Sequence, residues 1–416
     1  MATSPAPPCN NNSGRPYLLG LPVEIYTIIG TYLTQPQAMD VSLTCHALRA
    51  VFRPSAWRAI LVRGEPGELH PRLCALVDRI KREVEEEQNG TLPYESLARH
   101  VKSLKVSLPY HYGPLDGWSS YYHSGFRSNL SDQLGICDRL MELISLLGQI
   151  RELDLDLTDM HGWQVHHMIK LLWASAPGIL SQVRRVKLVS GRSRPRDLAL
   201  HQYLNMAFCT VLGPKADDLE CTGHFMPLYL WYGPPRTGLQ SAFDTLNAFT
   251  NPRPDGTPSR SLRHLRLGNM WNCDETLSTC QVLEWVVGPH KNTIETIFLK
   301  PMGSFFPVQD MARWKTRRQA VDNIVNALSD MPRLRRIAFP ALELVRINDM
   351  GEGAFQFAKA ITEDVMKRLP HVEYLVIYTR AWTWGVMESY RAEGKICFDF
   401  GFGYSRISEK FLQTQY

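Results

Sequence analysis

The chain has 416 residues, of which 44% are apolar and 21% are charged, and its formal net charge is +5. These proportions are typical of a globular protein, and so small a net charge gives no reason by itself to expect a nucleic-acid partner. No run of 18 or more apolar residues occurs, so we expect no membrane partner. The nine cysteines are scattered without a Cys-x-x-Cys pair, which is typical of reduced thiols in an intracellular protein of the cytoplasm or nucleus.

The first 16 residues are rich in Pro, Asn and Ser and lack the apolar segment of a secretory signal, so we predict a disordered tail. A helix is predicted over residues 21–33, because apolar residues recur there at spacings of three and four. Pro22 suits its first turn, and Glu24 places negative charge where the helix dipole is positive. The apolar face consists of Ile25, Ile28, Ile29, Tyr32 and Leu33.

A second helix is predicted to begin at a capping box formed by Thr34 and Gln37. This helix is apolar on two sides and therefore needs two surfaces to pack against. One surface is its own domain, and a partner chain is a candidate for the other. The first side carries Val41, Cys45, Leu48 and Phe52, and the second carries Leu43, Ala47, Ala50 and Val51.

A third short helix is predicted after Pro54, capped by Ser55 and carrying Trp57 and Ile60. Three short helices in about 45 residues form a very small core. Units of that size usually need outside help to stay folded, so a partner is expected to contribute.

Four short motifs follow one another in residues 18–62. They are Leu21-Pro22-x-Glu24-Ile25, Ile28-Ile29-x-x-Tyr32-Leu33, Ser42-Leu43-Thr44-Cys45-His46-x-Leu48-Arg49 and Trp57. Together they closely resemble the F-box, a module that docks on the Skp-type adaptor of a cullin–RING ubiquitin ligase; His46 departs from the basic residue often found there. The resemblance implies that the adaptor-facing residues are Leu21, Pro22, Ile25, Ile28, Ile29, Leu33, Val41, Leu43, Leu48 and Trp57. The alternative is an ordinary helical cap on the domain that follows.

A hexad of the form apolar-x-x-apolar-x-apolar recurs eight times in the rest of the chain. The copies begin at Val101, Ile150, Val183, Ala216, Leu262, Ile294, Leu334 and Val372. Most copies follow a helix-like segment and a Pro or Gly, which predicts parallel strands with right-handed crossovers stacked as a solenoid. The pattern resembles the degenerate leucine-rich-repeat domain that follows the F-box in many fungal and plant proteins. The alternative is an ordinary α/β sheet.

The sequence therefore predicts an α/β protein with an N-terminal three-helix F-box and an irregular leucine-rich-repeat-like solenoid of parallel strands and helices. The predicted divisions are a tail at 1–16, the F-box at 17–63, a linker helix region at 64–98, the solenoid at 99–380 and a C-terminal cap at 381–416. The linker helix begins with Leu73, Leu76, Val77 and Ile80 and stops at Asn89-Gly90.

The residues between the apolar anchors are predicted to form one open face of the solenoid. Their charge alternates in sign from strand to strand, which predicts pairing across neighbouring strands and argues against nucleic acid. The charged or polar positions are Ser103, Lys105, Ser107, Glu152, Asp154, Asp156, Arg185, Lys187, Asp218, Glu220, His264 and Arg266. Later strands place Phe298, Ala338, Tyr374, Val376 and Tyr378 on this face, either as a docking surface or beneath a C-terminal segment folded over them.

Two long aromatic loops, at residues 108–129 and 225–257, are predicted to leave the solenoid at one edge and to bind a target protein. The alternative is that they pack on the solenoid as insertions. The candidate target-binding residues are Tyr112, Trp118, Tyr121, Trp231, Phe298, Tyr374 and Tyr378.

Motifs for catalysis, metals or cofactors are absent from the sequence. His161, His166 and His167 do not share a helical face, and Cys209, Cys221 and His224 lack metal-ligand spacing. We therefore expect no enzyme, catalytic residue, metal or cofactor. The predicted function is substrate reception in a cullin–RING ubiquitin ligase, with a Skp-type adaptor, a cullin reached through it and an unidentified target as partners. A non-catalytic adaptor-binding scaffold and an α/β enzyme without a legible motif are the alternatives.

Overall fold

The computed structural model describes most of the repeat and all three N-terminal helices. The described residues are 21–64, 66–92, 94–107, 130–157, 160, 162–175, 179–190, 195–225, 238–250, 259–270, 283, 287–301, 317–340, 352–379 and 385–402.

Three short helices open the described chain: α1 (Val23–Tyr32), α2 (Gln35–Thr44) and α3 (His46–Ala56). The predicted capping box is present, because the side chain of Gln37 accepts a hydrogen bond from the backbone N–H of Thr34 at 2.9 Å. The chain turns between α2 and α3 at Cys45, whose backbone is extended. The first two helices therefore begin where the sequence predicts, but the predicted second helix, which was expected to reach Phe52, ends at Thr44, and α3 carries Leu48 and Phe52.

The predicted third helix is wrong. Helix α3 continues through Pro54 and Ser55, and Trp57 is its C-cap, with a backbone N–H that bonds to Arg53 at 3.0 Å. Pro54 is tolerated because it lies in the last turn of α3, where the loss of one backbone N–H donor shortens the helix very little. Ile60 belongs to strand β1 (Ala59–Arg63), a β-branched and aliphatic segment that joins the sheet.

A long helix, α4 (Pro66–Gln88), follows β1, and a short helix, α5 (Leu97–His100), precedes the next strand. The predicted end of α4 at Asn89-Gly90 is confirmed, with Gly90 at a φ of +68° that favours glycine. The inner face of α4 lies in the main core of the molecule. Its fully buried members are Leu69, Leu73, Val77 and Ile80.

All eight predicted strands are present, together with β1 and a C-terminal pair. They are β2 (Ser103–Ser107), β3 (Glu152–Leu157), β4 (Arg185–Ser190), β5 (Asp218–Phe225), β6 (His264–Met270), β7 (Thr296–Pro301), β8 (Arg336–Pro340), β9 (Tyr374–Thr379), β10 (Gly385–Ala392) and β11 (Lys395–Phe402). The intervening helices are α6 (Leu130–Leu146), α7 (Gly162–Ala174), α8 (Pro195–Val211), α9 (Gly238–Thr250), a 3-10 turn (Gly288–His290), α10 (Arg317–Ser329) and α11 (Glu352–Arg368).

The strands form one sheet in which spatial order equals chain order from β1 to β11. Strands β1 to β9 are parallel, and because the order never reverses, right-handed crossovers place the connecting helices on one face. Helices α4, α6, α7, α8 and α9 each contact the next along that face, as α10 contacts α11. Among the described strands no pairing joins β1 to β11, so the sheet is open at both ends. The architecture is a solenoid-like α/β fold and not a doubly wound sheet.

The core lies between the sheet and the helices. In β3, for example, Leu153, Leu155 and Leu157 are buried while Glu152 is exposed and Asp154 half-buried, as period-two alternation requires. One continuous apolar cluster runs from Ile60 in β1 to Ile377 in β9. The hexad residues therefore provide the contacts between neighbouring repeats.

Two arginines, one buried and one half-buried, complete the ends of helices. Arg260 is 4% exposed and donates to the carbonyl oxygens of Cys209 (2.8 Å) and Leu212 at the end of α8 and of Phe249 (2.5 Å) in α9. Arg391 in β10 donates in the same way to Met366 in α11. Each guanidinium satisfies carbonyls that a helix end leaves without intrahelical partners.

The described part of the predicted C-terminal cap is a hairpin that extends the sheet. Strand β10 pairs antiparallel with both β9 and β11. The two-residue turn between β10 and β11 consists of Glu393 and Gly394, with φ angles of 50° and 74°, as a type I′ hairpin turn requires. The sheet therefore ends in an antiparallel strand.

Candidate partner-binding surfaces

The three N-terminal helices share a minimal core. Tyr26, Leu48 and Phe52 are its buried members, and the rings of Tyr26 and Phe52 meet edge to face with their centroids 6.0 Å apart. Ile29, Leu33 and Val41 pack against this cluster and are partly buried. So few large buried side chains leave several apolar groups of these helices on the surface.

Exposed apolar side chains form a row along one face of α1, and α2 carries one further exposed apolar side chain. Leu21, Ile25 and Ile28 are 36%, 41% and 53% exposed, and Leu43 of α2 is 63% exposed. Pro22 is also exposed. Tyr32 (84%) is a further member of this row that is absent from the predicted adaptor-facing set, whereas Val23 (59%) is exposed on a different side of α1. The spacing could have identified Tyr32, because it continues the row of Ile25 and Ile28 by one helical turn.

The remaining predicted adaptor-facing residues point into this chain. Leu48 is only 6% exposed, and Trp57 packs against the main core with the guanidinium of Arg79 5.1 Å from its ring centroid. The structure thus exposes Leu21, Pro22, Ile25 and Ile28 along α1 and Leu43 on α2, while Ile29, Leu33 and Val41 are partly buried. Their contact with an adaptor stays a prediction.

A buried ion pair fixes the three helices to the repeat. Arg53 of α3 is 3% exposed, and its Nη2 donates to Oε2 of Glu83 in α4 at 2.5 Å. The same carboxylate oxygen accepts the backbone N–H of Leu97 at 2.9 Å, and the guanidinium lies 4.0 Å from the ring centroid of Tyr94. Further hydrogen bonds satisfy the Glu83 carboxylate, as a charge this deeply buried requires, whereas Nε of Arg53 has no hydrogen-bond partner among the described residues.

The open face of the sheet carries the predicted alternation of charge. One row runs in register through Lys105, Asp154, Lys187, Glu220 and Arg266. The Nζ of Lys187 lies 4.0 Å from Oδ2 of Asp154 and 3.6 Å from Oε1 of Glu220. The predicted pairing between neighbouring strands is confirmed.

Part of this charged face is buried and not water-exposed. In a second row, Arg185 lies 3.7 Å from Asp218. Arg266 of the first row also reaches Asp218 and donates to it at 2.7 Å. Asp218 is 1% exposed and Arg266 5%. Burial also raises the pKa of Asp154, while Lys187 opposes that shift. Buried pairs of this kind are screened far less than surface pairs.

The apolar positions that the later strands place on the open face do not form a row of exposed side chains. Ala338 and Val376 are fully buried, so they form no docking surface, and of the two alternatives their burial agrees with a covered face. Phe298 and Tyr374 are half-buried, and the Tyr374 hydroxyl donates to Glu388 at 2.7 Å. Tyr378 lies in β9 opposite Val386, and its side chain is outside the described residues. Tyr112, Trp118, Tyr121 and Trp231 also lie outside the described residues.

A column of four cations occupies the edge where the strands begin. Arg58, Lys102, Arg151 and Arg184 stack through backbone hydrogen bonds of 2.7–2.8 Å. Burial lowers the pKa of Lys102, and the neighbouring Arg151 adds to that shift. Further along the same column the signs alternate, as in the 2.8 Å pair of Arg263 with Glu295. The sequence argument against nucleic acid rested on the open face alone, and that exclusion stays a prediction.

The described residues offer little for bond chemistry. No group of three His, Cys, Asp or Glu side chains among them could hold a metal ion. His167 bonds to Asp138 at 2.8 Å, and burial raises the pKa of the Cys209 thiol to about 12. Such a thiol stays protonated and is a poor nucleophile. No helix in the described ranges is long and apolar enough to span a bilayer.

The fold defines the class of the molecule as an α/β protein with one open, largely parallel sheet and helices in sequence along it. Comparison with known proteins adds no narrower assignment. No protein-family model matches the chain, and no protein with a curated description is detectably similar to it. Its function is therefore inferred from its own surfaces.

Proposed function

We propose that this chain is the substrate-receptor subunit of a cullin–RING ubiquitin ligase. In this proposal the three N-terminal helices are an F-box that binds a Skp-type adaptor, and the leucine-rich-repeat-like domain binds the target protein. The observation that carries the proposal is the row of exposed apolar side chains along α1, Leu21, Ile25 and Ile28, together with the exposed Leu43 of α2. These residues belong to the sequence motifs that resemble the F-box.

The size of this row supports a permanent partner. Large apolar side chains exposed singly are ordinary, but a row of them along one face of a helix, as on α1, marks an interaction surface. Burying one side chain such as Ile28 contributes about 1.5–3 kcal/mol. A partner that covers these side chains therefore also adds stability that the small core of the three-helix unit does not provide.

The proposed role requires no catalytic residue in this chain. The receptor holds a target near the conjugating enzyme of the complex, which raises the effective concentration of the target's lysines. The buried pair of Arg53 and Glu83 supports this role, because it fixes the three-helix unit to the repeat. The open face of the sheet and the two long loops are the proposed target-binding surfaces.

Capture of a Skp-type adaptor tests the proposal. We expect the purified full chain to retain the adaptor and the double variant Leu21→Ala/Pro22→Ala to lose it, with the thermal unfolding of the repeat unchanged. Trp173→Ala is the matched control, because Trp173 is 65% exposed on α7, outside the three-helix unit. Adaptor capture that is equal in both variants would refute the F-box assignment.

Two other functions give different outcomes. A non-catalytic scaffold would capture the adaptor yet leave the abundance of every bound protein unchanged when the chain is removed from cells. An α/β enzyme would capture no adaptor. The open ends of the sheet favour a binding role over an enzyme, because neither a closed barrel nor a strand-order reversal provides a ligand crevice in the described part.

A further inference from the structure

Strand β11 presents one unpaired edge. It is bonded to β10 on one side, and no described strand pairs with its other side. In register, Tyr390 of β10 lies opposite Cys397, and Glu388 lies opposite Asp399. The backbone N–H of Arg391 points away from β11 and donates to Glu373, just before β9, at 3.1 Å. Its neighbours along β10 therefore bond toward β11.

This alternation fixes which backbone groups of β11 are free. In an antiparallel pair, residues bond toward the two neighbouring strands in turn. Cys397 and Asp399 bond inward to β10, so the N–H and C=O groups of Ile396 and Phe398 point to the open edge. The opposite end of the sheet differs, because the side chain of Gln35 in α2 donates to the carbonyl of Ala59 in β1 at 2.5 Å.

The charges on β11 are placed symmetrically. Lys395 and Asp399 are both exposed and stand two residues on either side of Cys397. Neither forms an ion pair with another described residue. Asp399 lies opposite Glu388, and like charges opposite each other on a sheet are unfavourable. A cation on the outer side of Asp399 would relieve this repulsion.

We propose that two copies of this chain associate by antiparallel pairing of their β11 edges, centred on Cys397. In that register each Lys395 lies opposite the partner's Asp399, and Ile396 exchanges backbone hydrogen bonds with the partner's Phe398. The two sheets become one continuous sheet across a two-fold axis. This association is independent of the proposed ligase role.

Neighbouring registers are disfavoured by the same residues. Centring the pair on Asp399 would place that carboxylate opposite its own copy, and centring it on Phe398 would place Lys395 opposite Gly401. Charges on edge strands commonly block association. Here their opposite signs at symmetric positions favour it. The pairing covers only residues 395–399, so the dimer is expected to be weak, with a dissociation constant of about micromolar or above.

The proposed register provides its own chemical probe. Residues at the centre of a non-hydrogen-bonded antiparallel pair have Cα atoms about 4.5 Å apart, which is within the range of a disulfide. Cys397 is a free, half-buried thiol. Mild oxidation of the full chain with diamide should therefore link two copies, as the two thiols pass two electrons and two protons to diamide. Cys397→Ser should abolish the link.

Sedimentation of the full chain tests the register itself. Asp399→Lys places like charges opposite each other and should raise the dimer dissociation constant about tenfold. The double variant Lys395→Asp/Asp399→Lys restores opposite charges and should restore dimerisation, with thermal unfolding unchanged in both. A chain that stays monomeric up to about 100 μM, a diamide-linked dimer that persists in Cys397→Ser, or a double variant as weak as Asp399→Lys would each overturn the proposal.

Discussion

The three-helix unit and the repeat bury apolar side chains in different ways. The repeat stacks nine parallel strands in register, so each hexad residue packs on its counterparts in two neighbours and one cluster extends from Ile60 to Ile377. The three-helix unit has Tyr26, Leu48 and Phe52 as the large buried side chains of its small core and leaves Leu21, Ile25, Ile28 and Leu43 exposed. The comparison teaches that the repeat has an extensive core of its own, whereas the small core of the three-helix unit is the reason for proposing that a partner completes it.

The largest expected effect comes from the two phenylalanines at the centres of these regions. Phe208 of α8 is fully buried in the repeat core, and Phe52 is 2% exposed in the small core. Phe208→Ala should lower the free energy of unfolding of the repeat by about 3–5 kcal/mol, measured by urea denaturation. Phe52→Ala should instead increase hydrogen exchange in α1–α3 alone. An equal loss in the main urea transition for both variants would contradict the division.

The joint between the regions gives the next effect. Arg53→Met removes the buried partner of Glu83, which is 8% exposed. We expect a loss of about 3 kcal/mol, because the buried Glu83 carboxylate loses its buried cation and keeps the half-exposed Arg79 as a partner, and partial recovery in Arg53→Met/Glu83→Gln. Arg72→Met is the matched control, since its pair with Glu68 is exposed and should contribute less than about 1 kcal/mol. Equal losses at the two pairs would show that the joint is not buried in solution.

A pH effect should distinguish the repeat from the three-helix unit. His290 is 2% exposed, its Nδ1 accepts the backbone N–H of Leu262 at 3.3 Å, and its Nε2 lies 2.8 Å from the Thr250 hydroxyl. The Thr250 hydroxyl donates to Leu246, so Nε2–H is the donor and the ring is neutral. Burial lowers the pKa of His290 from 6.5 to about 4.

The sign of this linkage follows from the lowered pKa. Between pH 6.5 and 4 the unfolded chain binds a proton that the folded chain refuses, so stability is complete above pH 6.5 and falls as the pH approaches 4. The total loss is roughly 3 kcal/mol for the full shift. His290→Gln should remove this part of the pH dependence, measured by urea denaturation from pH 7 to 4. An unchanged slope in His290→Gln would contradict the assignment.

The strands of the repeat could be predicted from sequence because one residue pattern determines both their position and their pairing. Each hexad places two apolar side chains on the helix face of its strand, as Leu153 and Leu155 do in β3, and this local signal needs no distant partner. The same logic failed at Ile60, because a short apolar run after Pro54 suits either a helix or a strand. The extended conformation of Ala59–Arg63 is stabilised by its parallel pairing with β2, which is distant in sequence.

Features that depend on distant contacts could not be predicted. Arg260 bonds to carbonyl groups up to 51 residues away, and nothing in its own segment indicates burial. Ala338 and Val376 occupy the predicted face, yet their burial depends on what lies above the sheet. Within the adaptor-facing set, period-3.6 spacing identified the exposed Ile25 and Ile28, whereas motif resemblance alone included the buried Leu48.

Hydrogen exchange of the full chain, with and without a Skp-type adaptor, tests the central claim most directly. The account predicts that the adaptor slows exchange in α1 and α2 and that β2–β9 and their helices exchange as before. Protection confined to the repeat, or no protection anywhere at saturating adaptor, would contradict the claim that a partner completes the three-helix unit.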